Sequence, residues 1–166
     1  MFTHSWIGLS GQDQVLCDAV VKDNLDLERK GKRKRPDNDK GFLKSEVALL
    51  LGTRGEIAVS RYFNLSWKTG ELKESGKKLV NSDFYGADLE FGVEVKATDN
   101  IRGGLFVSEK THADYMQASR NTPVVLALVD AWPFVEIPGW MFAKEIPNFP
   151  FRRTDARHNS GFLVPV

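Results

Sequence analysis

At 166 residues, with 42% hydrophobic and 27% charged side chains, the chain has the makeup of one ordinary folded domain, long enough to bury about two-thirds of its unfolded surface. Eleven Phe, four Trp and three Tyr exclude a disordered chain, and 14 Gly with 7 Pro are too few for a collagen-like or low-complexity one. Lys and Arg number 23 against 22 Asp and Glu, a net charge of +1, so affinity for a polyanion must come from where charges sit and not from their sum.

The opening residues Met1 to Trp6 lack a basic stretch followed by an apolar one, and no apolar run reaches the roughly 18 residues a membrane span needs, so neither export nor membrane insertion is expected. From Gln12 to Arg29, Val15, Leu16, Ala19, Val20 and Leu27 recur at helical spacing after a Ser10-Gly11 start and predict an amphipathic helix. That helix carries the single cysteine, Cys17, which has no disulfide partner, no Cys-x-x-Cys neighbour and no nearby His for zinc; a reducing cytoplasm is expected. Six of the seven residues from Arg29 to Arg35 are basic, and Pro36 to Gly41 has loop composition. This run admits two readings, a solvated loop or an arm whose Arg33, Lys34 and Arg35 touch phosphates.

Val47, Leu49, Leu50 and Leu51 predict a second helical block, and Thr53-Arg54-Gly55-Glu56 a fresh helix start leading into Ile57, Ala58, Val59, Tyr62 and Phe63, with Asn64 as its stop. Thr53 and Glu56 have capping-box spacing, so Glu56 reads either as a cap or as a functional carboxylate. Residues 68–83, with Lys68, Lys73, Lys77 and Lys78, read as a long polar loop beside a short strand near Trp67.

Between Gly86 and Thr98 two β-prone runs flank Glu90-Phe91-Gly92. A type I turn with a glycine bulge, Gly92 being left-handed, pairs Leu89 with Val93 and Asp88 with Glu94. Alternation along the strands then puts Ala87, Leu89, Val93 and Val95 on one apolar face and gathers Asp88, Glu94 and Lys96 on the other. A two-residue Phe91-Gly92 turn would mix the faces, which favours the longer turn.

Further on come a glycine-rich turn (Arg102-Gly103-Gly104), a strand Leu105-Phe106-Val107 and a helix capped by Ser108 over roughly Glu109 to Ser119. Lys110, His112 and Tyr115 read there as exposed helix surface, with phosphate contact as the alternative. The unbroken apolar run Val124 to Val129 predicts a strand buried on both faces, and Phe134 to Ile137 with Trp140 to Ala143 a last hairpin around Pro138-Gly139. Trp132, Phe134, Trp140 and Phe142 are read as core. The element order predicts one α/β or α+β domain with a mixed sheet: an N-terminal helix and basic loop over 1–44, a core over 45–143 and an extension over 144–166.

Two carboxylates and an ammonium on one strand face are costly to keep together unless something uses them. Asp88 and Glu94 offer the hard oxygen ligands that Mg²⁺ and Mn²⁺ prefer, the Val95 carbonyl lies between Glu94 and Lys96 as a third ligand, and Lys96 can orient a water or neutralise growing charge on a phosphate.

Asp88 followed by Glu94-Val95-Lys96 resembles the PD-(D/E)XK nuclease superfamily, whose core is a helix, a hairpin carrying Asp and then Glu-x-Lys, a third strand, a helix and a further strand. The resemblance covers about residues 45–143. The wider arrangement, with Gly52-Thr53-Arg54-Gly55-Glu56, Tyr62-Phe63-Asn64 and Gly139-Trp140, is similar to small stand-alone phage and prophage proteins of that superfamily. Ala87 replaces the proline of the motif, and Asp83 is a rival for the first aspartate that falls on the wrong parity.

The resemblance implies a restriction-endonuclease-like fold with a mixed sheet of about four or five strands. It implies Asp88, Glu94, Glu56 and the Val95 carbonyl as ligands of Mg²⁺ (or Mn²⁺), and Lys96 as the catalytic base or charge stabiliser. The expected activity is hydrolysis of DNA phosphodiesters, endo- or exonucleolytic, selective for nucleic-acid structure rather than sequence, with Arg33, Lys34, Arg35, Lys77, Lys78 and Lys110 contacting phosphates. The setting would be a bacterial host cytoplasm, with no small-molecule cofactor, and dimers are common among such enzymes. A silent nucleic-acid-binding or assembly module of the same fold, or a nuclease acting on RNA, are the alternatives.

Overall fold

The run Val124 to Val129 offers water no polar face, and it is buried throughout, inside an interior strand of the main sheet. The computed structural model describes residues 2–30, 45–67, 88–100, 105–118, 121–152 and 160–164. Its elements are β1 (Phe2–Gly8), α1 (Gly11–Arg29), α2 (Ser45–Phe63), β2 (Glu94–Thr98), β3 (Leu105–Ser108), α3 (Glu109–Ala118), β4 (Pro123–Ala131), β5 (Phe134–Phe142), β6 (Phe151–Arg152) and β7 (Gly161–Val164). Short 3-10 turns occupy Glu90–Gly92 and Ala143–Asn148. The main sheet runs β1-β5-β4-β2, antiparallel except for the parallel β2–β4 pair, and helices flank it: a mixed α+β fold.

Strand alternation divides the interior in two. Val125, Ala127 and Val129 of β4, with Val93, Val95, Val135 and Ile137, pack against Ile57, Ala58 and Val59 of α2. Val124 and Leu126 turn the other way, toward Val107, Tyr115, Met141, Ile146 and Val164. α1 lies on α2 and starts at a reciprocal cap: the Asp13 N–H donates to Ser10 Oγ at 3.1 Å while Ser10 N donates to Asp13 Oδ2 at 3.2 Å. Ser108 caps α3 as expected, accepting the Thr111 N–H at 3.1 Å.

In the layout of helices, strands and core, the structure corrects five points of the sequence reading. The two helical blocks at 47–51 and 53–63 are one helix, α2, which continues through Gly52 and Gly55. Each glycine costs a helix interior roughly 1 kcal/mol, but the burial of Leu51, Ile57, Ala58 and Val59 outweighs it. Gly55 moreover allows the close approach, because a Cβ there would stand 2.7 Å from Ala97 Cβ and 3.3 Å from Ala127 Cβ.

The second correction is β1, which the sequence reading left without structure and which pairs with β5 from Phe2↔Gly139 to Gly8↔Phe134. Third, Pro138-Gly139 does not turn a hairpin: β5 runs straight through, and the hairpin joins β4 to β5 at Trp132-Pro133. Pro138 falls where the β4–β5 register shifts between Leu126 and Leu128, the kind of irregularity at which a sheet accommodates proline. Fourth, β3 leaves the main sheet and pairs antiparallel with β7, which also pairs with β6, so a second three-stranded sheet covers the α3 side.

The fifth concerns the aromatics. Trp132 and Trp140 pack against the core and Phe142 stands edge-on to Trp140 at 5.2 Å, but Phe134 is 54% exposed. Among the described residues no helix is long and apolar enough to cross a membrane.

Candidate active site

β2 is the last strand of the sheet among the described residues, so one side of its backbone is not bonded to β4. The Val95 N–H is on that side and donates to Asp88 Oδ2 at 2.8 Å. Because the N–H and C=O of one strand residue point the same way, the Val95 carbonyl is directed to the same edge. Val93 and Val95 send their side chains into the α2 core, while Glu94 and Lys96 face the α3 side, where the Lys96 ammonium lies 5.5 Å from the Tyr115 ring centroid. The parity read from the sequence therefore holds for Leu89, Val93, Val95, Glu94 and Lys96.

The pairing of Leu89 with Val93 also holds, through a Leu89 N–H to Val93 O bond of 3.0 Å. The turn itself differs: Gly92 is left-handed (φ 74°), but so is Phe91 (φ 60°), which rules out a type I turn. Asp88 does not pair across with Glu94 as a strand residue; its carboxylate reaches past the turn to Val95.

Thr53 lies buried inside α2, so the capping-box reading of Glu56 falls. Glu56 lies mid-helix instead, and its Oε2 accepts the Trp67 indole N–H at 3.1 Å. The backbone of Trp67 in turn bridges Leu89, the residue next to Asp88. Helix carboxylate, turn aspartate and strand glutamate thus come from three segments and meet at one sheet edge.

Their electrostatics follow from burial with too few cations. Burial pushes Glu56 up to about 8, helped by the neighbouring Asp88 charge, with the Trp67 bond and Lys96 pulling the other way. Glu94 rises to about 7, through burial and then Asp88, against the pull of Lys96 and Tyr115. Asp88 is raised as well, by burial, although the Val95 N–H and Lys96 favour its charge. The Asp88 charge is also a cause of the upward shift of Glu94. Among the described residues, Lys96 is the cation that favours the charged form of all three carboxylates, and burial favours their protonated forms.

Among the described residues no three acidic, histidine or cysteine side chains are already drawn together as a metal cage. The donor set nonetheless suits a hard divalent cation: carboxylate oxygens and a backbone carbonyl at one edge, carrying surplus negative charge that a cation would offset. Glu56, Asp88, Glu94 and the Val95 carbonyl are the groups able to hold it.

Of the other expected site residues, Lys110 is exposed on the first turn of α3. Arg33, Lys34, Arg35, Lys77, Lys78 and the rival Asp83 lie outside the described residues. His112 is half-buried with Nε2 3.1 Å from the Ala143 carbonyl and its ring edge-on to Phe162, a structural role. Tyr115, expected on the surface, is buried under the site; its hydroxyl faces Glu94 without a well-formed hydrogen bond, and burial holds its pKa far above the ordinary value. The spacing of Thr111 and Tyr115, four apart behind the Ser108 cap, was the signal for this buried helix face. Trp67 was visible only as a strand fragment, since nothing local connects it to Glu56. Comparison with family models, curated proteins and solved structures finds no match to this chain.

Proposed function

We propose that the protein is a divalent-metal-dependent nuclease that hydrolyses DNA phosphodiesters. The observation that supports this most directly is that the Val95 N–H ties Asp88 to the strand of Glu94 and Lys96, while Trp67 holds Glu56 through its indole and bridges the residue next to Asp88 through its backbone. Such a cluster is costly to maintain, and carboxylates brought to one place are the ligands a metal-assisted hydrolytic site can use. A bound Mg²⁺ or Mn²⁺ would lower the pKa of a water and polarise the phosphate.

The chain's own groups divide the rest of the work. Asp88 is held by the Val95 N–H, Glu56 by the Trp67 indole, and both keep their carboxylates at the edge without substrate. Lys96 lies against the Tyr115 ring, which limits where its long stem can carry the charge, so that it can neutralise a phosphate oxygen or take part in activating water. Exposed Lys110 on α3, and the basic stretches at 29–35 and 77–78, would supply contacts to the backbone that do not read bases.

The test is cleavage of labelled linear, nicked, branched and single-stranded DNA and of RNA, with Mg²⁺ or Mn²⁺ against EDTA, comparing wild type with Glu94→Ala and Lys96→Ala. Metal-dependent DNA cutting lost in both variants is expected. Salt-sensitive binding without cutting would replace the proposal with a silent binding module, and cutting of RNA alone would change the substrate class.

A further inference from the structure

We propose that Trp67 is a positioning residue for the metal site, a strap that fixes the Glu56 carboxylate relative to Asp88 and so sets how tightly a divalent cation is held. The inference rests on the nuclease reading above and adds to it a residue that is neither acidic nor basic. Two independent contacts made by the one residue carry it. Its side chain donates from Nε1 to Glu56 Oε2 at 3.1 Å, and its backbone forms an antiparallel bridge with Leu89, which immediately follows Asp88. Trp67 is therefore the described residue that bonds both to the helix carboxylate and to the segment bearing the turn aspartate.

The chemistry of the indole suits this task. It can only donate, so the Glu56 oxygen it meets acts as the acceptor, and the bond anchors that oxygen. The bond also favours the charged form of a buried carboxylate, opposing the burial that otherwise discourages ionisation. Groups that orient metal ligands in this way are typically worth about 10- to 100-fold in metal affinity. The ring packs partly against the α2 core, so its bulk has a separate role in packing from its N–H.

Trp67→Phe keeps most of the bulk and deletes the donor. Mn²⁺ binding by calorimetry is expected to weaken by about 10- to 100-fold, and cleavage by Trp67→Phe to recover to within a few-fold of wild type at saturating Mn²⁺. In a Glu56→Gln background the same change should weaken Mn²⁺ binding no further, since the pair acts as a unit. Binding as tight as wild type, or an equal loss in both backgrounds, overturns the strap.

A measurement on the unaltered protein stands beside these in case the variant does not fold. The indole N–H resonance of Trp67 should move on addition of Mg²⁺ while those of Trp6, Trp132 and Trp140 move much less, and an unmoved Trp67 signal overturns the proposal. Wild-type protein that binds no Mn²⁺ removes the metal reading and this inference together. Metal binding with the Trp67 effect but without cleavage removes only the nuclease activity.

Discussion

Asp88 Oδ2 accepts the backbone N–H of Val95 at 2.8 Å, so an acidic side chain occupies the ladder position that β2 leaves open on its outer side. The bond ties the turn aspartate to the strand of Glu94 and Lys96 and also satisfies a backbone donor. These two roles separate in Asp88→Asn, whose amide oxygen can still accept from Val95. Its unfolding free energy in urea should stay within about 1 kcal/mol of wild type. On the proposed function, cleavage should fall on the order of 10²-fold or more, because several kcal/mol of charge stabilisation would depend on a metal held by this carboxylate. Activity retained in Asp88→Asn would remove Asp88 from the site.

The raised carboxylates predict how stability varies with pH. Glu56 at about 8 and Glu94 at about 7, against an ordinary 4.5, mean that the folded protein holds protons more tightly than the unfolded chain. Their contribution is whole below about 4.5 and is lost as pH rises through about 7 to 8. The melting temperature of metal-free protein should therefore drop across that window, and Glu56→Gln should flatten part of the drop. Mg²⁺ should restore stability mainly at the alkaline end, where the ligands have shed their protons. A flat metal-free profile would contradict the raised values.

Gly52 and Gly55 share α2 but should respond oppositely to alanine. At Gly55 the new Cβ meets Ala97 Cβ at 2.7 Å, and overpacking of this kind costs about 1–3 kcal/mol, more than the roughly 1 kcal/mol gained in helix propensity. At Gly52 the nearest atom is Glu56 Oε1 at 4.0 Å, so Gly52→Ala should stabilise by about 0.5–1 kcal/mol. Urea titrations of the two variants check the contrast.

The link between α1 and α2 should be acid-sensitive. Arg61 Nε and Nη2 both donate to Asp13 Oδ1, at 2.9 and 2.6 Å, and Ser10 bonds the other oxygen. Burial works against the Asp13 charge, but these bonds outweigh it and hold its pKa below 3.8. This stabilisation is present above 3.8 and is lost as pH falls through the lowered value. Arg61→Ala, which leaves a buried carboxylate without its cation, should cost about 1.5–3 kcal/mol at neutral pH and much less in acid. An equal cost at both would show that Arg61 acts through packing alone.

Where local chemistry decides structure, the sequence was legible. Ser10 and Ser108 mark the starts of α1 and α3, the apolar run at 124–129 marks the buried strand, and alternation around Gly92 placed Glu94 and Lys96 on a shared face. What it concealed depends on contacts made elsewhere. Gly52 and Gly55 look like a helix break until Ala97 and Ala127 are packed against the second of them. Glu56 looks like a cap until Trp67 reaches it. Phe2–Gly8 carries no strong strand pattern and becomes a strand because β5 offers it an edge.

That last pairing bears on how the protein is made. β1 precedes its partner β5 by more than a hundred residues, with every α-helix of the described residues between them. At roughly 5–20 residues per second, β5 leaves the ribosome several seconds after β1. One side of the main sheet therefore rests on a pairing of high sequence separation, the kind of contact whose loop-closure cost makes it form late in folding.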